Sequence, residues 1–267
     1  MHAGLATRIA LALFGACSFA SSIEIVLHES GHAMAAVLLG ADVARFDVHP
    51  YRRSEVAVSY DGGRRSESSL LFSSAGILVA VGASACVYFV TRARSHCWLP
   101  LQCLLPWSLF AEGGYLVDGS LNNYGDPSSI GSLANCPQGV LISLGGVMFL
   151  VAILLSVKLI ARLGGGESAP WWARGLAFLG MACVTLPSGL HAFKPGDSWT
   201  MATIVLATGF GGLVVLSITG GLIVQGLRKK LSWFLRTADA PVSWRHAMAA
   251  VAAGLAVVGL LLALGHT

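Results

Sequence analysis

Two histidines and a glutamate in the first apolar segment have a spacing that suits metal chemistry. His28 and His32 are four residues apart, so on a helix they project from the same face, one turn from each other. Two imidazoles placed in this way can bind one zinc ion, and Glu29 would then face a water molecule at that ion. A carboxylate in this position acts as a general base. The spacing therefore predicts hydrolytic zinc chemistry.

The surroundings of these three residues are unusual for polar side chains, because the segment from Ile9 to Leu39 is otherwise largely apolar. An ionisable residue at the centre of a membrane helix costs roughly 2.5–3.5 kcal/mol, so such residues usually have a function. Glu24 lies one turn before His28 on the same face and could accept a hydrogen bond from a ligating imidazole. We therefore interpret the cluster as a functional site rather than as a chance match to a short pattern.

A third protein ligand is needed, because catalytic zinc usually has three protein ligands and one open position. The remaining cysteines and histidines offer no obvious partner, which leaves the carboxylates of Glu112, Asp118 and Asp126. Each also has a structural interpretation: a buried hydrogen-bond partner for Glu112, a turn residue for Asp118 and a helix cap for Asp126. We predict Asp126 as the ligand, since Pro127 marks a helix start there, and we keep Asp118 as the alternative.

The composition is that of a membrane protein. Hydrophobic residues make up 55% of the 267 residues and charged residues only 11%, against about 25% in soluble domains. The net charge of +4 is spread over loops and indicates no nucleic-acid partner, and the six cysteines show no CxxC pairing. Seven segments are apolar enough to cross a bilayer of about 30 Å: Ile9–Leu39, Leu70–Val90, Trp98–Val117, Val140–Ile160, Trp172–Phe193, Trp199–Val224 and His246–Leu264.

Two connections between these segments differ from ordinary loops. Residues 41–67 contain stretches that alternate with period two, at Arg45–His49 and Glu55–Tyr60, and these predict short strands or a hairpin. The strand edge could accept an unwound substrate segment. The glycine- and asparagine-rich stretch Asp118–Pro137 is predicted to dip into the protein at membrane depth. The expected fold is thus an all-α polytopic membrane protein of about seven transmembrane helices, with a small β element after the first.

These residues together resemble a known family. The sequence His28-Glu29-Ser30-Gly31-His32 resembles the zinc helix of the site-2 protease type of intramembrane metalloprotease. The segment Leu39–Phe46 is similar to the glycine and short β-rich segment that follows this helix in the family. Ser74-Ala75-Gly76 resembles the small-residue start of the family's next helix, and Gly125-Asp126 is similar to a glycine-aspartate motif of bacterial members. In those members the aspartate is expected to complete the zinc site.

The resemblance covers about residues 9–135 and has two departures. The Asn-x-x-Pro run of the better-known members is missing, and Val117-Asp118-Gly119 matches their Leu-Asp-Gly triplet only in part. No segment resembles a PDZ domain. The resemblance implies a metalloprotease core over residues 1–135, with additional transmembrane helices over residues 136–267.

The function expected from these features is that of a zinc metalloendopeptidase. It would hydrolyse peptide bonds of membrane-embedded substrates with a zinc-activated water and Glu29 as the base, as a multi-pass protein of a bacterial inner membrane. Two other classes remain open: a non-catalytic membrane scaffold that retains the fold, and a metal or proton transporter. Glu29 argues against the scaffold, because zinc binding alone needs no base. The lack of paired, glycine-interrupted halves argues against the transporter.

Overall fold

Four helices of the computed structural model are long and apolar enough to cross a membrane: Gly4–Leu38, Leu70–Thr91, Gln138–Leu163 and Trp244–Leu264. The structure describes residues 2–49, 54–59, 69–164 and 241–264. The predictions that the chain is largely helical and that it contains helices able to span a membrane are confirmed for the described residues. The predicted segments Trp172–Phe193 and Trp199–Val224 lie outside the described residues, so the count of seven spans stays a prediction.

The first helix, α1, runs from His2 to Leu38 and carries the His-Glu motif in its C-terminal half. It ends in a turn at Gly40, where φ is +75° and a side chain would be strained. The N–H of Ala41 donates a 2.9 Å hydrogen bond back to the carbonyl of Ala36, which satisfies one of the free carbonyls of the last turn. This turn leads the chain directly into the β element.

The β element consists of two antiparallel strands, β1 (Asp42–Asp47) and β2 (Glu55–Ser59). The pairing aligns Phe46 with Val56, and an irregularity lies between Val43 and Arg45. The sequence prediction of short strands here is confirmed. Small and aromatic residues pack the sheet against α1 and α2, which spans Leu70–Thr91. The members of this cluster are Ala35, Ala36, Ala41, Phe72 and Ala75, with Val43 and Val58 against them.

Five further helices complete the described chain, and they correct one expectation. They are α3 (Leu99–Gln102), α4 (Leu104–Asn122), α5 (Gly125–Leu133), α6 (Gln138–Leu163) and α7 (Trp244–Leu264), with a 3-10 turn at His96–Trp98 before α3. The stretch Asp118–Pro137, for which the sequence favoured a connection dipping into the protein, is mostly helical. It contains the end of α4, a left-handed residue at Asn123 and all of α5. The predicted span Trp98–Val117 falls on α3 and α4, which are not among the four candidate spans.

The described chain forms two compact units, and the site lies in one of them. The first contains residues 2–19, 94–100, 155–164 and 241–256. Within it, Gly15 and Gly254 let α1 and α7 approach so closely that a Cβ on Gly254 would lie 2.4 Å from the carbonyl oxygen of Gly15. The second contains residues 20–49, 54–59, 69–93, 101–154 and 257–264, and includes every predicted site residue.

Candidate metal centre

Three potential ligand atoms meet at the centre of the second unit. The Nε2 atoms of His28 and His32 are 3.1 Å apart, and Oδ2 of Asp126 lies 3.3 Å from the first and 3.1 Å from the second. Tetrahedral zinc with bonds of about 2.0–2.1 Å holds neighbouring ligand atoms about 3.3–3.4 Å apart. The sides of the triangle are therefore close to those of a tetrahedral zinc site, two of them slightly shorter. Asp126 lies 94 residues after His32 in the sequence, so the fold brings the two side chains together.

Hydrogen bonds on the far side of each imidazole fix which ring nitrogen faces the triangle. Nδ1 of His32 donates to the backbone carbonyl of Phe72 at 2.8 Å, and Nδ1 of His28 donates to Oε1 of Glu112 at 2.7 Å. The carbonyl can only accept, so Nδ1 of His32 carries a proton, and in the neutral imidazole Nε2 is the nitrogen whose lone pair could bind a metal ion. Two such nitrogens and a carboxylate oxygen form a donor set that fits zinc.

Two glycines allow α2 to approach α1, the helix that carries His28 and His32. A Cβ on Gly31 would lie 2.3 Å from the carbonyl oxygen of Ala75, and a Cβ on Gly76 would lie 2.7 Å and 2.8 Å from the Nε2 atoms of His32 and His28. Larger residues at either position would displace a helix or the imidazoles. Gly31 thus allows the two helices to approach, and Gly76 leaves the space that the two Nε2 atoms occupy.

Asp126 is placed by the start of α5. Tyr124 occupies the N-cap position and the helix begins at Gly125, so Asp126 lies inside the first turn and is not the helix cap. Its side chain is therefore free to face the histidines. Burial raises the pKa of Asp126, but interactions with the two adjacent imidazoles in their protonated form lower it to about 2. The carboxylate is accordingly ionised at neutral pH.

Asp118, the alternative ligand, points elsewhere. It lies inside α4, not in a turn, and its exposed carboxylate accepts hydrogen bonds from Asn122 at 2.7 Å and from the hydroxyl of Tyr124. The structure thus brings Asp126 to His28 and His32 and leaves Asp118 on another face. Asp126 as a zinc ligand stays a prediction, now with a geometry that favours it.

The third carboxylate, Glu112, has the hydrogen bond that the sequence suggested for Glu24. Glu112 is only 1% exposed and bonds to the imidazole of His28 from α4, 84 residues along the chain. Glu24 lies beside this pair, with its carboxylate, that of Glu112 and a His28 ring nitrogen within 4.8 Å of one another. The sequence signal for Glu112 was a single acid in an apolar segment, which did not identify its partner.

A cavity connects the metal triangle to the predicted base and to the sheet. Its volume is about 710 Å³, in the range of sites that bind small molecules or short peptides. Glu29, which is 8% exposed, lines it beside both histidines, and Val56 of β2 lines it from the sheet. The predicted general base, three potential metal ligands and a strand therefore face one space.

Comparisons of the chain with protein-family models, curated proteins and solved structures find no match, so its function is inferred from the site alone.

Proposed function

We propose that this chain is a zinc-dependent intramembrane metalloendopeptidase of the site-2 protease type. The observation that carries the proposal is the triangle formed by the Nε2 atoms of His28 and His32 and Oδ2 of Asp126, with the carboxylate of Glu29 lining the same cavity. A metal-binding scaffold would have no need of a buried glutamate at that position, because the charge is costly away from water.

Each of these residues has a distinct role in the proposed reaction. His28, His32 and Asp126 would hold the ion through three ligand atoms, as catalytic zinc sites with three protein ligands do. When bound, zinc supplies a Lewis acid that polarises the peptide carbonyl and lowers the pKa of a bound water to about 7. Glu29 accepts a proton from the attacking water and passes it to the leaving amide nitrogen. The two nitrogens stay correctly aimed because both Nδ1 atoms are engaged in hydrogen bonds.

The proposed substrates are membrane-embedded proteins or peptides. In a helical substrate the backbone carbonyls are already hydrogen-bonded, so the segment must unwind before attack. The cavity is lined by Ser54, just before β2, and by Glu55 and Val56 at the start of that strand. An extended segment could pair with this sheet by strand addition. Such pairing would replace the hydrogen bonds that the substrate loses.

The proposed location is a bacterial inner membrane, with the chain crossing it several times. Four described helices have the length and composition for this. Excess lysine and arginine between segments favour a cytoplasmic N-terminus.

Purified full-length protein in liposomes, mixed with a panel of single-span peptides, tests the proposed function. Mass spectrometry should detect zinc-dependent fragments with the wild type. Glu29→Gln should retain zinc and the fold while losing cleavage by at least about 100-fold, as expected for loss of a general base. Equal cleavage by the variant would exclude Glu29 as the base. Zinc binding without cleavage of any peptide would favour the scaffold, and zinc or proton flux into the liposomes would favour the transporter.

A further inference from the structure

We infer that Glu112 is a positioning residue that sets the orientation, the tautomer and the zinc affinity of His28; this rests on the proposed zinc site. The carboxylate of Glu112 reaches from α4 to Nδ1 of His28 on α1, where Oε1 accepts a hydrogen bond of 2.7 Å. With Nδ1 protonated and held, Nε2 of His28 is left with its lone pair toward His32 and Asp126.

The packing of Glu112 shows that stability alone does not account for this residue. The side chain is 1% exposed, and apart from the neighbouring carboxylate of Glu24 its buried second oxygen, Oε2, has no hydrogen-bond partner among the described residues. A buried carboxylate with an unsatisfied oxygen is destabilising, and an apolar residue of similar volume often packs at no cost or with a gain. The presence of a carboxylate here is explained if its other oxygen, Oε1, positions the imidazole of His28.

The two imidazoles differ in the nature of their supports. Nδ1 of His32 is held by the backbone carbonyl of Phe72, which is neutral and does not depend on a side chain. Nδ1 of His28 is held by a carboxylate, and a negative partner makes an imidazole a stronger metal donor. Substitution at Glu112 therefore changes the support of one ligand and leaves the other intact.

Glu112→Leu, Glu112→Gln and Ser108→Ala in the full-length protein form the test set. Leucine removes the acceptor, whereas glutamine keeps an oxygen that can accept from Nδ1 but removes the charge. Ser108 is the matched control: it lies one turn earlier in α4, is fully buried, and its hydroxyl likewise lacks a partner within the described chain.

Zinc affinity is measured by competition with a chelator, and the melting temperature of the metal-free protein is measured in parallel. Glu112→Leu should weaken zinc binding about 10–100-fold, with an unchanged or higher melting temperature. Glu112→Gln should weaken zinc binding by about 10-fold, the lower end of this range. Ser108→Ala should bind zinc with the affinity of the wild type. The visible spectrum of the Co(II)-loaded protein should change in Glu112→Leu only, because it reports the geometry of the ligands and not packing elsewhere.

Three results would overturn the inference. Wild-type zinc affinity in Glu112→Leu would show that the hydrogen bond does not matter, while the proposed function would stand. If Glu112→Leu does not fold, wild-type zinc affinity in Glu112→Gln would exclude the inferred effect of the Glu112 charge on zinc affinity. A wild-type protein that binds no zinc would remove both this inference and the proposed function, and the wild-type titration alone distinguishes that case.

Discussion

The backbone N–H of Asp126 donates a 2.9 Å hydrogen bond to the hydroxyl of Tyr115, whose oxygen also lies 3.4 Å from Oδ2 of the same aspartate. Tyr115 is in α4 and Asp126 is in the first turn of α5, so this contact joins the two helices beside the metal triangle. Gly125 makes the contact possible, because its φ is +63° and a Cβ there would lie 2.2 Å from the tyrosine hydroxyl oxygen. The orientation of the Asp126 carboxylate thus depends on Tyr115 and Gly125.

Gly125→Ala should displace Asp126 from the histidines. The left-handed backbone alone costs an L-residue about 1–3 kcal/mol, and the clash with Tyr115 adds to this. We expect a lower melting temperature and weaker zinc binding, measured by thermal unfolding and chelator competition. Gly114→Ala is the control, since a Cβ there meets nothing within 4 Å and Ala is preferred to Gly in a helix.

The double variant Gly125→Ala/Tyr115→Phe separates the clash from the backbone strain. Tyr115→Phe removes the hydroxyl oxygen that a Cβ on Gly125 would meet first. The two changes should therefore be non-additive in stability by about 0.5 kcal/mol or more, as for residues in contact. Strict additivity would mean that Tyr115 does not position this turn.

Gly76→Ala should block the metal site without unfolding α2. Its Cβ would come within 2.7–2.9 Å of atoms of both imidazoles, closer than such contacts allow, so the rings must turn away from Asp126. Zinc content measured by mass spectrometry should fall to well below one per chain. The matched control is Gly82→Ala in the same helix, which has open space at its Cβ and should keep full zinc. Equal zinc in both variants would contradict the placement of Gly76.

Proline at Val56 or Val58 tests the sheet as a substrate platform. Proline removes a backbone donor, so pairing of an extended substrate with β2 should be weakened at one or both positions. Cleavage of the peptide panel should fall more than expression or zinc content does. Val56 lines the cavity, whereas Val58 packs against the cluster of alanines and Phe72 beneath the sheet. Unchanged turnover in both variants would show that substrates do not bind this strand.

The local features of the fold were predictable from the sequence, because they depend on neighbouring residues. The four-residue spacing of His28 and His32 needs only a helix, and the period-two pattern of Glu55–Ser59 needs only a strand. Both are observed.

The long-range parts of the site were not predictable with the same sharpness. Which acid supports His28 depends on how α4 packs on α1, and nothing in the local sequence distinguishes Glu112 from Glu24 for this role. The helical state of Asp118 depends on where α4 ends, and that end is set by left-handed Asn123 and the start of α5 at Gly125. The candidate acids were therefore identifiable from residue type and position, and the helix start expected at Asp126 is observed, whereas the turn and helix-cap alternatives considered for Asp118 and Asp126 are not.

The zinc content of three purified full-length proteins, the wild type, Asp126→Ala and Asp118→Ala, tests the proposed centre most directly. The wild type and Asp118→Ala should each hold one zinc per chain, because the Asp118 carboxylate bonds to Asn122 and Tyr124 and not to the histidines. Asp126→Ala should lose zinc or bind it far more weakly than the roughly 10–100-fold expected from loss of a supporting residue, since it removes one of three ligand atoms. Stoichiometric zinc in Asp126→Ala together with loss in Asp118→Ala would contradict the assignment, and no zinc in the wild type would contradict the metal centre itself.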